Sequence, residues 1–106
     1  MRTLCCVCED GEGPDAEIDD YLTCMALDNE VENILSHCAD HAPDSFIERI
    51  ARRSLSHPQW NARWQAAELL YRREVPEWEA LLTVLARDPH PYVRQRARNS
   101  LEYLKS

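Results

Sequence analysis

Two short spacings could carry metal chemistry: Cys5-x-x-Cys8 and, far along the chain, Cys38-x-x-His41. Zinc takes four deprotonated Cys or neutral His ligands in a tetrahedron, and ligand pairs at two-residue gaps suit that geometry. Such a site would pin the N-terminal segment to the helix that carries Cys38. The competing reading places Cys38 on an apolar helix face, where cysteine acts as a small hydrophobe. Cys6 and Cys24 are further thiols that could take the same role. A nucleophilic cysteine fits less well. His37 and His41 flank Cys38, yet the acidic surroundings oppose thiolate formation, and no oxyanion donor is recognisable. Catalysis is therefore not expected.

Other polar groups read as structural. Asp19-Asp20 and Glu30/Glu32 fall on solvated faces, and the run from Asp10 to Asp15 lacks the alternating ligand spacing of a calcium loop. His57 and His90 each precede a proline in a turn. Arg63 and Arg94 recur at equivalent positions, which points to a ladder that binds turn carboxylates or carbonyls such as Asp88. The aromatic residues are stronger candidates for binding. Trp60, Trp64 and Tyr71 lie on or near one side of a helix, with Glu68 four residues after Trp64. Trp64 either anchors a partner or completes a small core. Gln95 and Asn99 stand at the matching positions of the next unit.

Helices must position these residues. Ile18, Tyr21, Leu22 and Met25 share one face at helical spacing. Asp28 can cap a second helix carrying Val31, Ile34, Leu35 and Cys38. Pro43-Asp44 restarts the chain, and Phe46, Ile47, Ile50, Ala51 and Leu55 form a third stripe. After Ser56-His57-Pro58, a fourth helix turns Ala62, Ala66, Leu69, Leu70 and Trp60 inward. Val75-Pro76 ends it, because proline disfavours helix in the preceding residue. A fifth helix carries Trp78, Leu81, Leu82 and Leu85, and a sixth, after Asp88-Pro89-His90-Pro91, carries Val93, Ala97, Leu101 and Leu104. Gly11 and Gly13 are the only glycines, which argues against a turn-rich β fold and a glycine-rich phosphate loop.

A shift of 31 positions superposes the last two helix pairs. Ile47 meets Trp78, Ile50 meets Leu81, Pro58 meets Pro89, Arg63 meets Arg94, Ala66 meets Ala97 and Leu70 meets Leu101. Self-similarity of this period marks stacked helical hairpins. The segments Asn61–Leu70 and Asp88–Leu101, with an aspartate-proline turn, a Val-Arg pair and small residues on the second helix, resemble HEAT-like repeats of the short bacterial, phycobilisome-lyase-like type. The match covers roughly residues 45–106, and residues 15–44 follow only its rhythm. The resemblance implies an all-α fold, a short right-handed α-solenoid of about three hairpins over residues 15–106, after an irregular cysteine-containing lead at 1–14. It implies a binding scaffold and not a lyase.

Charge divides along the chain. Residues 1–45 hold twelve acids against Arg2 alone, −11, and residues 46–106 hold seven acids against eleven bases, +4, for a total of −7. The acidic half, with Asp19, Asp20 and Glu30 alongside the aromatic face, suits a basic protein partner, as an inhibitor, immunity-type protein or adaptor would need. The alternative partner is nucleic acid, contacted through Arg49, Arg52, Arg53, Arg72, Arg73, Arg94, Arg96, Arg98 and Lys105. A third reading is a zinc-dependent regulatory module on Cys5, Cys8, Cys38 and His41. No apolar run reaches the roughly 18 residues of a membrane span, and the N-terminus lacks a signal-peptide core, so a cytoplasmic protein is expected, with its cysteines as thiols or metal ligands rather than disulfides.

Overall fold

The structure, a computed structural model, describes residues 14–28 and 33–105. Among these it holds six α-helices and no strand: α1 (Asp15–Leu27), α2 (Asn33–His41), α3 (Asp44–Ser54), α4 (Trp60–Arg72), α5 (Trp78–Leu85) and α6 (Pro91–Lys105). The expected lead at 1–14 lies outside the described residues, apart from Pro14.

Prolines start the helices. Pro14 and Pro43 stand in extended conformation just before α1 and α3, and Pro91 is the first residue of α6, where a missing N–H costs nothing. The first turns of α1 and α3 carry Asp15, Glu17 and Asp44, which favour the positive end of the helix dipole. Asp28 accepts the Ile34 N–H at 2.8 Å, the expected cap on α2.

Helix α4 is the centre and packs against each of the other five helices. Ala62, Ala66 and Ala67 are fully buried on it, and their small side chains let its neighbours approach. Leu69 and Leu70 fill the space beyond. Gln65 is also fully buried. Its amide donates to the Met25 carbonyl of α1 at 2.6 Å and ties the first helix to the fourth. Ile18, Leu22 and Met25 of α1, Leu35 and Cys38 of α2, and Phe46, Ile47 and Ile50 of α3 complete one continuous core with Leu82, Leu85, Val93 and Ala97. Leu101 and Leu104 are only partly buried at its edge. Trp60 departs from the expected pattern: as the first residue of α4 it stays at the surface, where it meets His90 in the α5–α6 turn and Tyr92 in the first turn of α6.

The 31-residue repeat is visible in hydrogen bonds. In the α3–α4 turn, His57 Nδ1 accepts the Gln59 N–H at 3.1 Å, and Arg63 donates to the His57 carbonyl at 2.7 Å. In the α5–α6 turn, Asp88 Oδ1 accepts the His90 N–H at 2.8 Å, and Arg94 donates to the Asp88 carbonyl at 2.8 Å. Each donor and acceptor is displaced by 31 positions. Arg63 also reaches forward, and its Nε and a terminal nitrogen grip Asp88 at 2.6 and 3.1 Å. The expected arginine ladder thus has one rung, which joins the two equivalent turns.

Arg63 and Asp88 are 12% and 6% exposed. Removing one partner of a buried pair strands the other charge. Arg63→Ala should therefore lower unfolding free energy by about 3 kcal/mol, and Arg94→Ala, which loses only carbonyl contacts, by about 1 kcal/mol. Urea midpoints check this, and equal losses would refute the linking role of Arg63.

Candidate functional site

Four residues of α4 spaced along one stripe, Trp60, Trp64, Glu68 and Tyr71, face four of α6, Tyr92, Arg96, Asn99 and Tyr103. The two helices meet here because Ala66 and Ala67 on α4 and Val93 and Ala97 on α6 are small enough to bring them close. Larger side chains then flank the contact and form a seam.

One end of the seam is aromatic. The Trp60 ring stacks on His90, 4.0 Å between centroids and 9° between planes, and meets Tyr92 edge-on at 5.7 Å. Tyr92 also meets Trp64 edge-on at 5.6 Å. Trp64 is 6% exposed, with its indole N–H on Asn61. Of its two expected roles, core filling is therefore the one its burial fits, and Trp60 at 37% and Tyr92 at 42% exposure present the accessible rings.

The middle of the seam is charged. The Arg96 guanidinium lies 4.8 Å from the Trp64 ring centre and 5.9 Å from that of Tyr92, a cation–π arrangement. It is ion-paired to Glu68, whose second oxygen accepts from Arg72 at 2.9 Å. The far end holds Tyr71 and Tyr103, with rings 5.2 Å apart. Their hydrogen bond raises the Tyr71 phenol above its ordinary pKa. Glu68, Tyr71, Arg96, Asn99, Ser100 and Tyr103 line an open groove of about 210 Å³.

Expectation and structure meet unevenly. Trp60, Trp64, Glu68 and Tyr71 do share a side of α4. Asn99 lines the groove, and Gln95 donates to it at 2.8 Å from the adjoining surface. The repeat alignment gives no sign of Tyr92 and Tyr103 at this seam, because it matches them to Asn61 and Arg72, and Arg96, expected only as a phosphate contact, is matched to Gln65. Their own spacing of four and seven residues along α6 was the available signal. Asp19 and Asp20 lie on α1, away from the seam. Asp20 is exposed, whereas Asp19 is gripped by Arg53 at 2.6 and 3.0 Å, which lowers its pKa. Glu30 lies outside the described residues, as do Cys5 and Cys8. Cys38 is buried in the core, while His41 is exposed with its ring 4.7 Å from His37. One helical turn thus sends the expected ligand pair into different environments. Among the described residues no group of three or more His, Cys, Asp or Glu is placed to hold a metal ion.

A second polar cluster joins α1 to the α3–α4 turn and invites a catalytic reading. His57 Nε2 lies 3.0 Å from Thr23 Oγ1, near the Asp19 carboxylate. The hydrogen bonds exclude a base–nucleophile pair. Nδ1 accepts the Gln59 N–H, so Nε2 carries the proton and donates to Thr23, which in turn donates to the Asp19 carbonyl at 3.1 Å. A base must have a lone pair where this ring has a hydrogen. The arrangement is a latch for neutral histidine. Burial, opposed by Asp19, lowers the His57 pKa below 6.5. The folded state therefore binds the proton less readily than the unfolded chain. The stability from this group is complete above pH 6.5 and is lost as pH falls from there through the folded value. Thermal midpoints measured between about pH 7.5 and 5 should drop on the acid side, and His57→Asn, which keeps the turn acceptor without titrating, should remove part of that drop. Identical profiles would show that other groups govern it.

Compared with family models, with curated proteins and with solved structures, the chain matches none.

Proposed function

We propose that this chain is a HEAT-like helical-repeat module, a short right-handed solenoid of about three hairpins, that binds a protein partner along the α4–α6 seam and performs no catalysis. The carrying observation is the seam itself, which exposes the aromatic rings of Trp60, Tyr92 and Tyr103 on one side of two packed helices. Such rings give large contact area at little entropic cost and dominate protein interfaces. The repeated turns and the elongated outline, 40 by 24 by 23 Å, support the solenoid.

The net charge of −7 favours a basic partner, as for an adaptor or an inhibitor of the immunity type. Nucleic acid is less well supported. Of the nine basic residues that could contact phosphates, Arg49, Arg52, Arg53, Arg72, Arg73, Arg96 and Lys105 already pair with carboxylates of this chain. Arg94 holds turn carbonyls.

Affinity capture on immobilised protein from a lysate of the source organism, with the captured protein identified and then purified, tests the reading. Trp60→Ala/Tyr92→Ala should weaken that partner by about 2 kcal/mol or more, and binding should fall as salt rises from about 0.05 to 0.5 M. Undiminished binding by a folded double variant would overturn it.

A further inference from the structure

We infer that His37 and His41, one turn apart on α2, form a chelating site for a divalent transition-metal ion of the kind imidazole prefers (nickel, copper or zinc). The site uses no residue of the α4–α6 seam and is independent of the protein-binding reading.

Residues at i and i+4 share a helix face, and two histidines at that spacing can hold one metal ion between them. The ring centres of His37 and His41 are 4.7 Å apart. A metal–nitrogen bond of about 2.0–2.1 Å puts the ion about 3.2 Å from the centre of each ring it binds. Two rings on one ion then stand about 4.5 Å apart at a right angle and about 5.2 Å apart at the tetrahedral angle. The observed separation falls between these values. The rings can therefore meet one ion by turning in place, with no movement of the helix.

The fold holds the pair at that spacing. Leu35, Cys38 and Ala39 bury the opposite face of α2. Arg73 binds the Ala39 and Ala42 carbonyls at its end and is itself paired with Asp44, so its charge is balanced. The last turns of a helix favour a cation through the helix dipole, and the net charge of −7 draws one. Asp40 is exposed beside His41 and adds negative charge. Among the described residues no third His, Cys, Asp or Glu joins the pair, so water fills the other positions of the ion.

The remaining two of the four histidines are unsuited to this role. His57 Nδ1 accepts the Gln59 N–H, and His90 Nδ1 accepts the Tyr92 N–H. A neutral imidazole has one acceptor nitrogen, and in both rings a turn already engages it. At His37 and His41, a hydrogen bond donated by one ring nitrogen leaves the other as the ligand, the usual arrangement in metal-bound histidine.

Titration calorimetry with nickel chloride at about pH 7.5, where imidazole is neutral, tests the site. The protein used is the full chain carrying Cys5→Ser, Cys6→Ser and Cys8→Ser, which removes three competing thiols. It should bind one nickel ion. His37→Gln and His41→Gln should each weaken that binding at least about tenfold, because the second bond of a chelate is intramolecular, whereas His90→Gln should leave it unchanged. His41 is exposed, so its replacement spares the core, and unchanged helical circular dichroism checks this. No binding by the serine variant, undiminished affinity in His37→Gln or His41→Gln, or an equal loss in His90→Gln would overturn the histidine pair.

Discussion

The guanidinium of Arg63 closes the turn before its own helix and holds the turn of the next hairpin. It donates to the His57 carbonyl on one side and to both oxygens of Asp88 on the other. Turn backbones carry polar groups that cannot be buried unsatisfied. Here they are satisfied by a side chain with five donors in a rigid fork, so two hairpins acquire a fixed mutual position. The α4–α6 contact and the seam that it creates follow from that position. Arg73 plays the corresponding part on the other side of α4. It donates to the Ala39 and Ala42 carbonyls at the end of α2 and pairs with Asp44 at the start of α3.

Charge pairing explains why an acidic first half and a basic second half coexist in one small fold. Asp15 and Asp19 on α1 meet Arg49 and Arg53 on α3, so part of the segregation along the chain is neutralised across the α1–α3 contact. The expected pair of oppositely charged surfaces is accordingly weaker than the linear sum suggests. These exposed pairs add little stability individually. Their consequence is to commit the arginines of α3 to the fold and leave acidic groups such as Asp20, Asp40 and Glu74 exposed on the surface.

The seam shows how burial and exposure divide labour among similar residues. Trp64 is covered by Tyr92 and by Arg96, so it supports the exposed rings beside it without being one of them. Glu68 is neutralised on both oxygens, which lets a carboxylate sit between two aromatic clusters at low desolvation cost.

Much of this was legible from local pattern. The 3.6-residue periodicity and the prolines determined the helices, because both act within one or two turns of chain. The 31-residue self-similarity determined that Arg63 and Arg94 hold equivalent turns, and Asp28 was identifiable as a cap. Only the tertiary structure decided which distant groups meet. Arg53 finds Asp19 across 34 residues, Arg96 finds Glu68 across 28, and Trp64 goes under Tyr92 while Trp60 stays out. These pairings depend on the angle and distance at which helices pack. Those are set by side chains from several helices at once, in particular the alanines of α4, and no single stretch of sequence contains them.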